Sequence, residues 1–248
     1  MINPMDLTGK HILITGASSG IGRQCAIQAS RLGARITMIA RNEERLRETV
    51  NMMERPVDHA FYPFDLLDTG GIEALVRRIV TDRGSVDGFC HSAGIGGMGR
   101  VVKMSNPEYT EKMFRIHEFA FIELVRCLGK RGNLNNGASL VGISSIAANN
   151  GTVSQGVYAA AKAAMNGFIR PAALEYASRG IRVNTVAYAM VDTEMYQAFL
   201  QSGGDEKVIQ NQALGLIDAE SAANAVMFLF SNACPFITGS VISVYAGA

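Results

Sequence analysis

No run of apolar residues in this chain approaches the ~18 needed to cross a membrane. The N-terminal stretch MINPMDLTGK has no apolar core of the kind an export signal carries. The expectation is a cytoplasmic protein with no membrane partner. Net charge is also scarce: the balance is +1, with 18% charged residues, which leaves no basic footprint for nucleic acid or an anionic surface. There are only four cysteines, Cys25, Cys90, Cys127 and Cys234, and none has metal-type spacing. They read as reduced core thiols, with no metal site expected. The sequon Asn150-Gly151-Thr152, in a chain without an export signal, reads as chance. No Pro/Ser-rich linker, repeat or low-complexity segment divides the 248 residues, so 1–248 is read as one domain.

What is present is an alternation. Seven short apolar runs, HILITG, RITMIA, AFYPFDL, VDGFCHSAG, ASLVGISS, IRVNTVAY and GSVISVY, are separated by stretches with helical apolar spacing. Among these are a long helix over PEYTEKMFRIHEFAFIELVRCLGKRG and another from Ser154 to about Ser178. Strand–helix alternation of this kind predicts βαβ units: an α/β fold with a doubly wound, mostly parallel seven-stranded sheet and helices on both faces. Pro171 falls inside the second of these helices, where it removes a hydrogen bond and crowds the carbonyl of Gly167, so a kink or irregular turn is expected there.

The turn between the first strand and first helix reads TGASSGIG, Thr15–Gly22. Gly16, Gly20 and Gly22 permit a tight turn and close backbone approach. The N–H groups at the start of the next helix then suit a pyrophosphate. The end of the second strand decides between dinucleotides. An acid there would bind a ribose 2′-hydroxyl, but Ala40 stands in that place and Arg41 follows, which suits the 2′-phosphate of NADP(H). Arg45 reads as helix surface. Tyr158 stands four residues before Lys162 in VYAAAKAAM, one helical turn away, a pair that means little without company.

Together, the Thr15–Gly22 loop, Ser145 and Tyr158-x-x-x-Lys162 resemble the short-chain dehydrogenases/reductases over nearly the whole chain. The likeness is strongest to the 3-oxoacyl-[acyl-carrier-protein] reductase-like branch. The resemblance implies a Rossmann fold and an NADPH-dependent oxidoreductase that reduces a ketone, 3-oxoacyl or otherwise apolar and possibly carrier-bound, to a secondary alcohol. It implies catalytic Ser145, Tyr158 and Lys162. It implies cofactor contacts from Gly16, Ser18, Ser19, Gly20, Ile21, Gly22, Arg41, Asp65, Leu66, Ser92, Ala93, Gly94, Tyr158, Lys162, Val191 and Thr193. It also implies a homotetramer or homodimer.

The chemistry explains the residue types. A tyrosine can hand a proton to the carbonyl oxygen, but its free pKa of ~10 is too high for pH 7, and a lysine one turn away lowers it. Ser145 would donate a hydrogen bond to the substrate oxygen. Three departures from the family pattern stand out. His117 occupies the place of the family's asparagine in a proton relay; it reads as a half-buried helix histidine or as a relay residue titrating near pH 6.5. Tyr188-Ala189 replaces Pro-Gly, with the phenol expected to narrow the pocket or point to solvent. The tail VYAGA replaces Asp-Gly-Gly. Residues 190–212 read as an apolar substrate lid hinged at Gly203-Gly204, facing GIGGMG around Ile95–Gly99. The alternative reading is a non-catalytic dinucleotide-binding regulator or structural subunit.

Overall fold

In chain order the elements are β1 (His11–Thr15), α1 (Gly20–Arg31), β2 (Arg35–Ala40), α2 (Glu43–Asn51), β3 (Ala60–Pro63), α3 (Ile72–Arg83), β4 (Val86–His91), α4 (Pro107–Phe114) and α5 (Ala120–Gly129). They continue with β5 (Leu134–Ser145), α6 (Gly156–Tyr176), β6 (Arg182–Tyr188), β7 (Val191–Asp192), α7 (Glu194–Gln201), β8 (Ile217–Asp218), α8 (Ala219–Phe230) and β9 (Val241–Val244). The structure, a computed structural model, describes residues 3–97, 100–201, 203–204 and 206–248. Met98 and Gly99 of the GIGGMG stretch, and Ser202 and Asp205 of the 190–212 segment, lie outside the described residues.

Seven strands form one sheet in the order β3-β2-β1-β4-β5-β6-β9, and every pairing is parallel. A parallel sheet is covered on both faces, which is why its strands are continuous apolar runs rather than alternating ones. All five residues of β1 and all seven of β6 are buried. Side chains still alternate between faces. Ile12 and Ile14 pack with residues of α1, α2 and α8 in one core. Leu13, between them, belongs to the other core with residues of α3, α5 and α6. The α/β fold with helices on both faces is therefore the one the alternation predicts. β7 and β8 add a separate two-residue ladder beside it.

Two local features differ from expectation. The helix through Pro171 is continuous α-helix from Gly156 to Tyr176, with no irregular turn. Gly167 and Pro171 both lie on the exposed face, so water can take the carbonyl that Pro171 leaves without a donor. The long helix ahead of β5 is not uniform either. A π-turn, Arg115–Phe119, joins α4 to α5, and the helix stops at Gly129. Such a turn widens the backbone by one residue and is found often at functional sites. Among the described residues no helix is long and apolar enough to cross a membrane.

Candidate active site

The strand order reverses between β1 and β4, and a cleft of about 1070 Å³ opens beyond the carboxyl ends of these strands. β1 runs directly into the glycine loop. Gly16 has φ +67° and Gly20 φ +50°, values that suit glycine. A Cβ on Gly16 would lie 2.7 Å from the Ala93 amide nitrogen, so this loop and the one after β4 touch through backbone. Gly22 is buried in the first turn of α1, and a Cβ there would lie 2.4 Å from the Gly16 carbonyl oxygen, so only glycine lets the loop fold this closely onto the helix. The N-termini of α2, α4 and α8 are capped by the side chains of Asn42, Asn106 and Asp218. The N-cap of α1, Ser19, makes no such bond, leaving first-turn N–H groups free to meet an anion.

The remaining residues expected at a cofactor line the same cleft: Gly16, Ser18, Ser19, Gly20, Ile21, Arg41, Asp65, Leu66, Ser92, Ala93, Gly94, Val191 and Thr193. Arg41 is exposed, and no hydrogen bond or ion pair engages it among the described residues. The donor set, an uncapped helix N-terminus beside an unpaired guanidinium, fits a dinucleotide carrying an extra phosphate. The structure also brings Arg45 to this wall, with Nη2 bonded to Glu194 at the start of α7, so it is not simply helix surface.

Ser145, Tyr158 and Lys162 converge on the other half of the cleft. Ser145 is the last residue of β5. Its hydroxyl oxygen accepts from the Ala147 amide at 3.2 Å, which leaves its hydrogen to donate. Tyr158 is half-buried on α6. Burial pushes its phenol above the ordinary value, and Ser145 acts the other way. Lys162 is 5% exposed, with Nζ donating to the Ile143 carbonyl at 2.6 Å and lying 5.7 Å from the Tyr158 ring centre. Burial brings its amine down to about 7, partly countered by Glu118. Among the groups that shift the Tyr158 phenol, desolvation and Ser145 act and Lys162 does not. Its amine is turned to a strand carbonyl and half-discharged near neutrality.

The π-turn supplies the third wall. His117 is 1% exposed, edge-on to the Tyr158 ring at 5.5 Å, and bonded through Nε2 to the Ile95 carbonyl at 3.0 Å. Its Nδ1 is buried without a partner. Burial, then the charge of Lys162, hold the imidazole well below its usual range. It is therefore neither half-buried nor titrating near pH 6.5; it is a neutral ring packed on Gly94. Glu118 beside it escaped the sequence reading, although an acid in the apolar stretch IHEFAF was a visible signal. It is 5% exposed with an unpartnered Oε2, and burial raises its carboxyl to about 7 against the pull of Lys162. Tyr188 does not reach solvent: it borders the cleft, but its phenol hydroxyl turns away from it. Its hydroxyl donates to the Ala222 carbonyl at 2.6 Å, inside the core under α8.

Residues 16–248 match the family model described as enoyl-(acyl carrier protein) reductase. The 3-oxoacyl-[acyl-carrier-protein] reductase FabG of Vibrio cholerae is 30% identical over 98% of both chains. The 7alpha-hydroxysteroid dehydrogenase of Escherichia coli K12 is 26% identical, over 97% of this chain and 94% of that one. Among solved structures, a dehydrogenase/reductase from Sinorhizobium meliloti 1021 superposes with TM-score 0.89 at 25% identity, covering 98% and 96%. ElxO with NADP bound superposes with TM-score 0.87 at 25% identity, covering 96% and 98%. The chain belongs to the short-chain dehydrogenase/reductase family of oxidoreductases.

Proposed function

We propose that the protein reduces an apolar ketone with NADPH, Tyr158 giving the proton. The observation that carries this is the meeting, in one cleft, of Ser145, Tyr158 and Lys162 with the uncapped start of α1. In this reading the first turn of α1 holds the pyrophosphate, Arg41 the 2′-phosphate, and Val191 and Thr193 the carboxamide. NADPH, when bound, supplies the hydride. Ser145 donates its free hydrogen to the substrate oxygen and so fixes it beside the phenol. Tyr158 transfers its proton to that oxygen as the alkoxide develops. Lys162 leaves the Ile143 carbonyl for the ribose side of the cleft, where its charge can act on the phenol. Desolvation alone keeps the phenol protonated and leaves the lysine only partly charged near pH 7, so a rearrangement of the lysine is needed, not only its presence.

On the substrate side the wall is Ile95, Ile116, Met190, Met195, Tyr196 and Phe199, with α7 as the lid. That surface suits an acyl chain or a fused-ring substrate, and the relatives named above are a 3-oxoacyl-[acyl-carrier-protein] reductase and a 7alpha-hydroxysteroid dehydrogenase. The test is titration of the purified protein with NADPH and NADH, followed by turnover of a ketone panel by wild type and Tyr158→Phe. The expected result is NADPH preferred, with turnover in the variant down by about 10²–10⁴ and NADPH binding within a few-fold. Retained turnover overturns the role of Tyr158. Binding of neither cofactor moves the protein to the non-catalytic reading.

A further inference from the structure

One ion pair spans the cleft outside the reacting centre. Arg45, in the first turn of α2, holds the carboxylate of Glu194, the first residue of α7. Both line the cleft, and 149 residues separate them in the chain. The Asn42 side chain caps α2 by accepting from the Arg45 amide at 2.9 Å, which fixes the turn that carries the guanidinium. Beneath the pair, the same segment rests on the phosphate loop: a Cβ at Gly20 would lie 3.2 Å from the Thr193 methyl carbon. Thr193 and Glu194 therefore form a strap over the start of α1, fastened to α2 by Arg45.

The fastening is open to competition. The Arg45 side chain is 34% exposed and that of Glu194 58%, so water and salt reach both. An exposed pair of this kind shifts an equilibrium by no more than about fivefold. Arg41 stands four residues before Arg45 on the same wall, unengaged among the described residues. Two guanidinium groups thus flank the adenosine end of the cleft, and only one is occupied by an acid.

We propose that Glu194 is an internal competitor for the cofactor's 2′-phosphate: the phosphate takes Arg45 from Glu194, adding it to Arg41 as an anchor and unfastening the strap from α2. The inference rests on the NADPH reading above. A dinucleotide with a 2′-hydroxyl carries no charge at that point and leaves the pair closed. Glu194 therefore weakens NADPH and not NADH, and so limits the preference between them. It also ties the phosphate to the position of α7, which borders the substrate side.

The test is fluorescence titration of the full chain with NADPH and NADH, for wild type, Glu194→Gln, Arg45→Met and the double variant. Glu194→Gln is expected to tighten NADPH by about two- to fivefold and to leave NADH unmoved. Arg45→Met is expected to weaken NADPH and to remove most of the gain from Glu194→Gln. A Glu194→Gln variant with unchanged or weaker NADPH binding, or equal gains for both cofactors, overturns the strap. Wild type that binds NADPH no better than NADH overturns the cofactor reading, and the strap with it. Wild type that prefers NADPH without a gain in Glu194→Gln overturns the strap alone.

Discussion

Replacing Lys162 with methionine should make the cofactor-free protein more stable at pH 6 while ending its turnover. The lysine is 5% exposed, and burial brings its amine from 10.5 to about 7. Each pH unit of that fall is worth 1.36 kcal/mol, so carrying the charge into the fold costs at most about 5 kcal/mol. Methionine keeps the unbranched stem and removes the charge. It also strips the Ile143 carbonyl of a donor at 2.6 Å, which costs about 1–3 kcal/mol. The balance is a gain of about 2–4 kcal/mol at pH 6. The sign follows from proton counts. Between pH 7 and 10.5 the unfolded chain holds this proton and the folded protein has released it, so wild-type stability rises with pH there. The advantage of Lys162→Met is therefore complete below pH 7 and gone by about pH 10. Urea unfolding of both proteins at pH 6, 8 and 10, at one protein concentration, measures it. A variant less stable than wild type at pH 6, or a difference that ignores pH, refutes the reasoning.

Glu118→Gln should act in the opposite pH window. With its folded carboxyl raised to about 7, stability is held below pH 4.5 and lost as pH rises through 7, so the variant should gain up to about 3 kcal/mol at pH 8 and nothing at pH 4. Melting curves at both pH values check this, and equal differences would count against it. Tyr188→Phe loses a buried 2.6 Å bond to the Ala222 carbonyl and should cost about 1–2 kcal/mol, a melting temperature lower by about 2–8 °C, with relative rates across a ketone panel unchanged. A selective change among substrates would place the phenol at the pocket instead. Gly94→Ala puts a Cβ into the His117 ring and should cost about 1–3 kcal/mol and weaken cofactor binding. A melt within 1 °C of wild type would show that the ring can move away.

The periodic parts of the molecule were legible in the residues themselves. Seven apolar runs became seven parallel strands, because only strands covered on both faces are apolar throughout. The glycines of TGASSGIG and the four-residue step from Tyr158 to Lys162 were equally readable, since a turn's φ and a helix's pitch are local properties. Other parts depended on what lay opposite. His117 became a neutral ring because the loop after β4 and helix α6 close over it, and Glu118, visible as an acid in an apolar stretch, was buried by the π-turn that carries both. Tyr188 turned inward because a carbonyl of α8 stood within reach. Arg45 looked like surface until the fold set Glu194 against it. Lys162 was readable as a residue of the site but not as an amine turned to Ile143 and near neutral. Residue order determines geometry over a few bonds, and so it determined the strands, the loop and the spacing of the site. Burial and charge are set by every neighbour the closed sheet brings together, so the protonation and the partners of that site were decided only by the tertiary structure.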